Sequence, residues 1–281
     1  MTLREALAQA RTILGASGIS EAPLESEVLL RHVLGIDRAR FYLDIERELD
    51  DRAQQAFLAL VERRAKGEPA AYITGHREFF GLDFCVDSNV LIPRPETELL
   101  VAAVFELARR HPLAAIADIG TGSGAIAVSL ATNLTGVKIY ATDTSAGALA
   151  VARRNAARHG VAGCIIFLQG DLLAPLPGPV DIIAANLPYV RTADLVALSG
   201  EPVLALCGGG EGTDTLFELC RQASRWLNPG GSLVMEVGQG QAGAVTSLLR
   251  RLYPGSRIEV RPDLAGIDRL VLLGPFQALS T

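Results

Sequence analysis

Asn186, Leu187, Pro188 and Tyr189 follow the apolar run Val180–Ala185 in the string VDIIAANLPYV. A buried strand could simply end there in a turn. The residue types also fit a small acceptor site for an amide or amine nitrogen. An amide nitrogen is a poor nucleophile, because its lone pair is delocalised into the carbonyl, so it must be held in line with its electrophile. Asn186 can offer a side-chain oxygen to one N–H. The backbone carbonyls of Leu187 and Pro188 can take a second, and Tyr189 can lay a flat ring against the planar group. Alignment and tighter binding of the transition state would suffice, with no covalent intermediate. No base is needed, since the nitrogen's proton becomes acidic as positive charge develops.

A second group of residues stands upstream, in ADIGTGSGAIAVSL. Asp118 precedes a turn of Gly120, Thr121, Gly122, Ser123 and Gly124 between a strand and a helix pattern. A dinucleotide turn would read G-x-G-x-x-G, and a Walker-type cradle would carry a lysine. Here Ala125 and Ile126 follow Gly124. Asp143 ends the next strand pattern, KIYATD, where a carboxylate can accept both ribose hydroxyls of a nucleoside. Asp171 closes the one after, GCIIFLQGD, within reach of an adenine amino group, and Leu172 can cover the ring. Each acid alone could be a helix cap. In sequence behind a glycine turn, the three carboxylates suit a ligand that carries positive charge and would repel a pyrophosphate. S-adenosylmethionine, with a sulfonium, an amino group and no phosphate, is the expected cofactor, S-adenosylhomocysteine its product. Asn186 is placed to touch this cofactor as well as the acceptor. No metal is implied: Cys85, Cys164, Cys207 and Cys220 form no CxxC pair and no zinc spacing with the four histidines. Reduced, mostly buried thiols are expected.

These residues need a scaffold, and the chain divides into three stretches. Residues 1–70 read as a small helical domain. Leu3, Ala6, Leu7, Ala10 and Leu14 recur at helical spacing before Gly18; Leu24, Val28, Leu29 and Val33 repeat the pattern; a third helix runs from a cap at Asp51 to Gly67. Short helices of this kind must pack on one another. Residues 71–95 read as a hairpin or stiff connector, closed by Pro93 and Pro95 around Arg94. Residues 96–281 alternate helix and strand, which predicts an α/β domain with a mostly parallel sheet covered on both faces. Ligands then bind beyond the carboxyl ends of the strands. One helix is expected to end at Pro229-Gly230-Gly231, before the strand SLVMEV.

The bulk composition narrows the class. With 281 residues, 49% of them hydrophobic, the chain can bury a sizeable core. A net charge of -5 weakens the case for a protein that grips a long phosphate backbone. The start MTLREALAQA is an amphipathic helix pattern, and no apolar run approaches the length of a membrane span. A cytoplasmic monomeric enzyme, bound to neither membrane nor, stably, nucleic acid, is expected.

Taken together, these strings resemble class I S-adenosylmethionine-dependent methyltransferases and, more narrowly, the release-factor glutamine N5-methyltransferase family. The resemblance lies in EPAAYITGHREFFG (Glu68–Gly81), LIPRPETE (Leu91–Glu98), DIGTGSGAIA (Asp118–Ala127), NLPY (Asn186–Tyr189), EPVLALCGGGEG (Glu201–Gly212) and DLAGIDRLV (Asp263–Val271). It covers essentially the whole chain. It implies a Rossmann-like class I methyltransferase sheet with a small N-terminal helical substrate-docking domain, joined by a hairpin-like connector. It implies methyl transfer to the side-chain amide nitrogen of the glutamine in the Gly-Gly-Gln motif of class I peptide chain release factors, the partner proteins. It also favours the Pro188 carbonyl as second acceptor. Two positions depart from the family pattern: Leu187 stands where proline is usual, and the acidic-glycine pair after the glycine cluster is Glu211-Gly212. Asn-x-Pro-Tyr is shared with enzymes that methylate adenine amino groups, so a DNA or RNA methyltransferase stays open as an alternative. So does a catalytically silent nucleoside-binding module, though an intact Asn186 and Tyr189 argue against it.

Other residues read less sharply. Arg94 could anchor the connector or face the cofactor, Glu96 could touch a ligand, and Glu98 suits the first turn of a helix. Glu236 ends a strand on the site's side of the sheet. Arg77 and Glu78 could pair within the connector. His76 and His159 are isolated, Trp226 reads as core, and CGGGEGTD reads as a flexible rim or lid.

Overall fold

The computed structural model describes residues 1–110, 112–197 and 200–275. The chain forms two compact units, Met1–His76 and Arg77–Thr281.

The first unit contains α1 (Leu3–Ala16), α2 (Ala22–Leu34), α3 (Arg38–Leu43), α4 (Asp51–Ala65) and α5 (Ala70–Thr74). Thr2 opens α1 with a capping box: its hydroxyl accepts the Glu5 amide at 3.2 Å, and the Glu5 carboxylate accepts the Thr2 amide at 2.8 Å. The predicted face of α1 is the buried one: Leu3, Ala6, Leu7, Ala10 and Leu14 enter a core with Leu29, Leu30, Phe41, Phe57 and Val61. On α2 the face is rotated from the expected one. Leu24 is exposed, while Ser26 and Glu27 are buried. The Ser26 hydroxyl donates to the Ala22 carbonyl at 2.6 Å, and Glu27 accepts from Tyr42 at 2.7 Å and pairs with Arg31 and Arg38. Local partners let two polar residues lie where periodicity alone would place leucine and valine. The cap of α4 is Asp50, one residue before the expected Asp51.

The second unit opens with a hairpin, β1 (His76–Phe79) and β2 (Leu82–Cys85), and a 3-10 turn at Pro95–Thr97. Then follow α6 (Glu98–Arg110), β3 (Ala115–Ile119), α7 (Ala125–Asn133), β4 (Lys138–Asp143), α8 (Ala146–Arg158), β5 (Ile165–Gln169) and β6 (Val180–Ala185). The remainder is α9 (Val203–Leu206), α10 (Asp214–Trp226), β7 (Leu227–Glu236), α11 (Ala242–Leu252), β8 (Ile258–Pro262) and β9 (Asp268–Leu273), with a second 3-10 segment at Thr192–Ala197. Seven strands make one sheet in the order β5-β4-β3-β6-β7-β9-β8. The first five are parallel, and β9 pairs antiparallel with both β7 and β8. Neighbouring residues of β3 serve opposite faces: Ala117 and Ile119 pack with Leu216, Leu219 and Leu249, whereas Ile116 packs with Leu100, Val104 and Ile126. Both faces are covered, as the continuous apolar runs require.

Two local expectations fail. Helix α10 ends at Trp226, not at Pro229-Gly230-Gly231, and β7 begins at once with Leu227. The register between Val180 and Ile182 shifts, so Asn228–Gly231 bulge out of the pairing. The bulge is held by Asp181, whose carboxylate accepts Asn228 Nδ2 at 2.7 Å. The cysteines are all free, but only Cys220 is buried; Cys85 and Cys207 are half-buried and Cys164 is exposed. No helix among the described residues is long and apolar enough to cross a membrane.

Candidate active site

Parallel strands carry their carboxyl ends to one edge of the sheet, and strand order decides which residues meet there. The chain leaves β3 for β4 on one side and returns to β6 on the other. The reversal opens a crevice between the turns after β3 and β6, the usual ligand position in such sheets. A cavity of about 440 Å³ lies there, within the range of small-molecule sites. Gly120, Thr121, Gly122 and Ser123 line it from β3, Asp143 from β4, Asp171 and Leu172 from beyond β5, and Asn186, Leu187 and Pro188 from β6.

Asp118 sits beneath the first turn, with no exposed surface. Its Oδ2 accepts the Thr121 hydroxyl at 2.6 Å and the Ala127 amide at 3.1 Å, while Oδ1 is buried with no hydrogen-bond partner. Burial pushes its carboxyl from the usual 3.8 up to about 7; the two hydrogen bonds oppose that shift and nearby Asp143 adds to it. An orphaned buried carboxylate oxygen calls for a donor or a cation. Asp143 accepts the Gly122 amide at 2.9 Å on one oxygen and the Ser145 amide at 2.8 Å on the other. Each of those oxygens keeps a further lone pair for a hydroxyl. The exposed Asp171 lies two residues past the end of β5 rather than on it. Leu172 beside it is buried at φ 44°, an unusual value for a leucine. Its carbonyl accepts the Thr142 hydroxyl at 3.0 Å, which holds the side chain at the cavity wall.

The glycines follow from close approach. Gly120 has φ 70°, and a Cβ there would come 2.9 Å from Leu187 Cδ2. Leu187 thus lies across the cofactor-side turn and is almost fully buried. Its role is to clamp the second turn onto the first. Gly124 has φ 80°, and a Cβ there would meet Ala152 Cβ at 3.1 Å.

Asn186 and Tyr189 are tied together from behind. Asn186 Nδ2 donates to Thr97 Oγ1 at 2.8 Å, Thr97 Oγ1 donates to Glu236 Oε2 at 2.6 Å, and the Tyr189 hydroxyl donates to Glu236 Oε1 at 3.2 Å. Burial raises the Glu236 carboxyl, against the Thr97 and Tyr189 hydrogen bonds and nearby Arg269, with Glu96 adding to the rise. Burial also raises the Tyr189 phenol, and the Glu236 charge adds to that. Tyr189, Asp118 and Gly124 are not among the described residues that line the cavity. The Tyr189 ring is anchored through its hydroxyl to the wall, and its backbone carbonyl accepts Gln241 Nε2 at 2.9 Å.

Several supports were not legible from sequence. Asn155 is fully buried on α8; its side chain bonds the Cys85 amide and carbonyl at 2.8 and 2.9 Å and the Ser123 carbonyl at 2.8 Å, joining β2 to the glycine turn. Its one signal is an amide on the apolar stripe of a helix. Glu201 accepts the Ile92 amide at 2.9 Å and pairs with Arg94, so Arg94 both anchors the connector and lines the cavity. Glu98 accepts the Phe80 amide and Glu78 the Gly81 amide, each at 2.8 Å. The CGGGEG segment is no open lid. A Cβ on Gly208 would fall 2.6 Å from the Pro188 carbonyl oxygen and 2.8 Å from Tyr189 Cα. This backbone lies directly against the Asn186–Tyr189 turn, and only glycine permits that approach.

Comparison with known proteins settles the family. Residues 5–75 match the PrmC N-terminal domain and residues 95–201 the methyltransferase small domain. A release factor glutamine methyltransferase of Moorella thermoacetica is 46% identical over 277 residues, covering 97% of this chain and 98% of the relative. One from Geobacter sulfurreducens is 42% identical, covering 96% and 95%. The chain belongs to the release factor glutamine methyltransferase family. It is a methyltransferase by that membership. Family membership also reaches both units, since the relatives span nearly the full chain. Among solved structures, a ribosomal protein L11 methylase of Lactobacillus delbrueckii subsp. bulgaricus superposes with TM-score 0.52 at 23% identity, over 69% of this chain and 84% of that one. The hMettl16 catalytic domain, in complex with MAT2A 3'UTR hairpin 6, gives 0.57 at 18% identity, over 75% and 82%. At such identities the likeness is one of fold: the Rossmann-like methyltransferase sheet.

Proposed function

We propose that this protein transfers a methyl group from S-adenosylmethionine to the side-chain amide nitrogen of the glutamine in the Gly-Gly-Gln motif of class I peptide chain release factors, in the cytoplasm. The observation that carries this reading is the meeting of two turns at one crevice: Gly120–Ser123, laid over the buried and part-orphaned carboxylate of Asp118, on one side and the Asn186–Pro188 acceptors on the other. Asp118 Oδ1 suits the cofactor's ammonium group, Asp143 its ribose hydroxyls, Asp171 its adenine amino group, and Leu172 the ring face. These residues fit S-adenosylmethionine without a phosphate cradle. When bound, it supplies an electrophilic methyl on sulfonium sulfur.

On the acceptor side, Asn186 Oδ1 takes one N–H of the glutamine amide and the Pro188 carbonyl takes the other. Held this way, the nitrogen lone pair points along the axis of attack. The N–C bond forms as the S–C bond breaks, and the extra proton leaves nitrogen to water. Preorganised acceptors act on the charge that develops on nitrogen, so they stabilise the transition state more than the ground state. Tyr189 closes the turn and fixes its backbone.

The test is label transfer. Purified protein with methyl-labelled S-adenosylmethionine receives a release factor, its Gln→Ala variant in the Gly-Gly-Gln motif, duplex DNA and structured RNA in separate reactions. Label in the release factor that vanishes in the Gln→Ala variant supports the reading. Label in nucleic acid alone overturns it in favour of an adenine amino methyltransferase, and cofactor binding without any transfer would make this a silent module.

A further inference from the structure

Glu236 ends β7, next to β6 in the sheet, and is 1% exposed behind the acceptor turn. When ionised, its carboxylate is an acceptor-only group at the end of a chain of hydroxyl and amide groups. The Thr97 hydroxyl has one proton and donates it to Glu236 at 2.6 Å. Thr97 Oγ1 can then only accept from Asn186, and Asn186 Nδ2 is the atom that faces it, at 2.8 Å. The other carboxylate oxygen is taken by the Tyr189 hydroxyl at 3.2 Å. An asparagine amide has nearly the same shape when its oxygen and nitrogen are exchanged, so only its partners decide which end faces the ligand. With Nδ2 turned to Thr97, Oδ1 is turned away and takes no hydrogen bond from the described residues.

We propose that Thr97 and Glu236 are positioning residues that fix the polarity of Asn186, and that this polarity restricts the site to an acceptor side chain that donates N–H, admitting an amide and refusing a carboxylate. The inference rests on the acceptor reading given above and adds its selectivity. A glutamate in the glutamine's place would set its lone pairs against Asn186 Oδ1, leaving both buried acceptors without a proton. With the amide reversed, Asn186 would present Nδ2–H to the substrate and oppose the N–H groups it should receive.

Three full-chain variants test the device. Thr97→Ser keeps the hydroxyl, Thr97→Val removes it at similar size, and Glu236→Gln replaces the acceptor-only group with one that can donate to Thr97 and reverse the chain. The first readout needs no substrate: side-chain amide proton exchange of Asn186 in protein labelled with 15N-asparagine, the resonance identified by its loss in Asn186→Asp. Exchange should stay slow in wild type and Thr97→Ser, and quicken about tenfold or more in Thr97→Val and Glu236→Gln as the hydrogen bond of a partly buried amide is lost. The second is steady-state transfer to a release factor: kcat should fall about 10²-fold in Thr97→Val and Glu236→Gln with KM little changed, since alignment and not docking is lost. Thr97→Ser should restore the rate, and cofactor Kd should stay near wild type throughout. Unchanged exchange and rate in both Thr97→Val and Glu236→Gln would overturn the proposal, as would Thr97→Ser failing as badly as Thr97→Val. If exchange responds as expected but the wild type methylates no release factor, the polarity device stands and the acceptor reading falls.

Discussion

The turn after β3 and the turn after β6 lie on one cavity, yet they are built in different ways. The cofactor-side turn is held mostly by local chemistry: Asp118, Thr121 and the Gly122 amide make its bonds with near neighbours and with Asp143, positive φ recurs at Gly120 and Gly124, and Asn155 adds one bond from α8. The acceptor turn has almost no bonds of its own. It is held from outside by Thr97 and Glu236, by Gln241 on its backbone, and by the flat face of Gly208. A turn that binds a constant cofactor can be rigid by local chemistry. A turn that must align a weak nucleophile needs support from several elements, because small displacements there are costly.

The two turns separate most sharply at Asn186. Asn186→Ala should lower transfer to a release factor by about 10³-fold, as for loss of one preorganised polar group, while cofactor affinity by calorimetry changes only a few-fold; full turnover would refute its role. Next comes Gly208→Ala. Its Cβ would sit 2.6 Å from the Pro188 carbonyl oxygen, so the acceptor turn must shift, and kcat should fall about 10²-fold. Cofactor binding should again persist, and parallel losses of both would mean that the turns are not separate devices. Leu187→Ala bears on the clamp between them. Removing a buried side chain should destabilise the protein by about 3 kcal/mol in denaturant unfolding, and should weaken cofactor binding too, since Gly120 loses its neighbour. An effect on transfer alone would place Leu187 wholly on the acceptor side.

The smallest effect is one of pH. The folded protein holds a proton on Asp118 up to about pH 7, whereas the unfolded chain releases it near the usual 3.8. The resulting stability is complete below the lower value and is lost as pH rises through the higher one. Glu236, also raised by burial, acts in the same direction. The loss through Asp118 is at most about 1.4 kcal/mol per pH unit. Asp118→Asn should flatten this slope in melts of the ligand-free protein between pH 4 and about 7, and saturating S-adenosylmethionine should flatten it as well. A slope unaltered in the Asn variant would remove Asp118 as its source.

The two turns also differed in how much of them could be read in the sequence. Asp118, the glycines and Asp143 are close in the chain and carry a strand-turn-helix context, so their meeting follows from alternation and the parallel sheet. Asn186, Leu187 and Pro188 were visible as types, but not what holds them. Thr97 is 89 residues from Asn186 and Glu236 is 139 from Thr97, and no periodicity links them. Leu187 was read only through its backbone carbonyl, and its side chain finds its place against Gly120. The glycine segment at Gly208 read as a flexible rim, because glycine permits both mobility and close backbone contact, and only neighbours from other elements decide which. Ser26 and Glu27 taught the same lesson in the helical unit, where partners outvoted hydrophobic spacing on α2.

The most direct measurement is the position of the methyl group on an intact release factor after reaction with this protein and S-adenosylmethionine, mapped by fragmentation mass spectrometry of the peptide that holds Gly-Gly-Gln. One added methyl is expected, on the glutamine side-chain nitrogen, and none when that residue is glutamate. A methyl on any other residue, or transfer to the glutamate form at a similar rate, would contradict it.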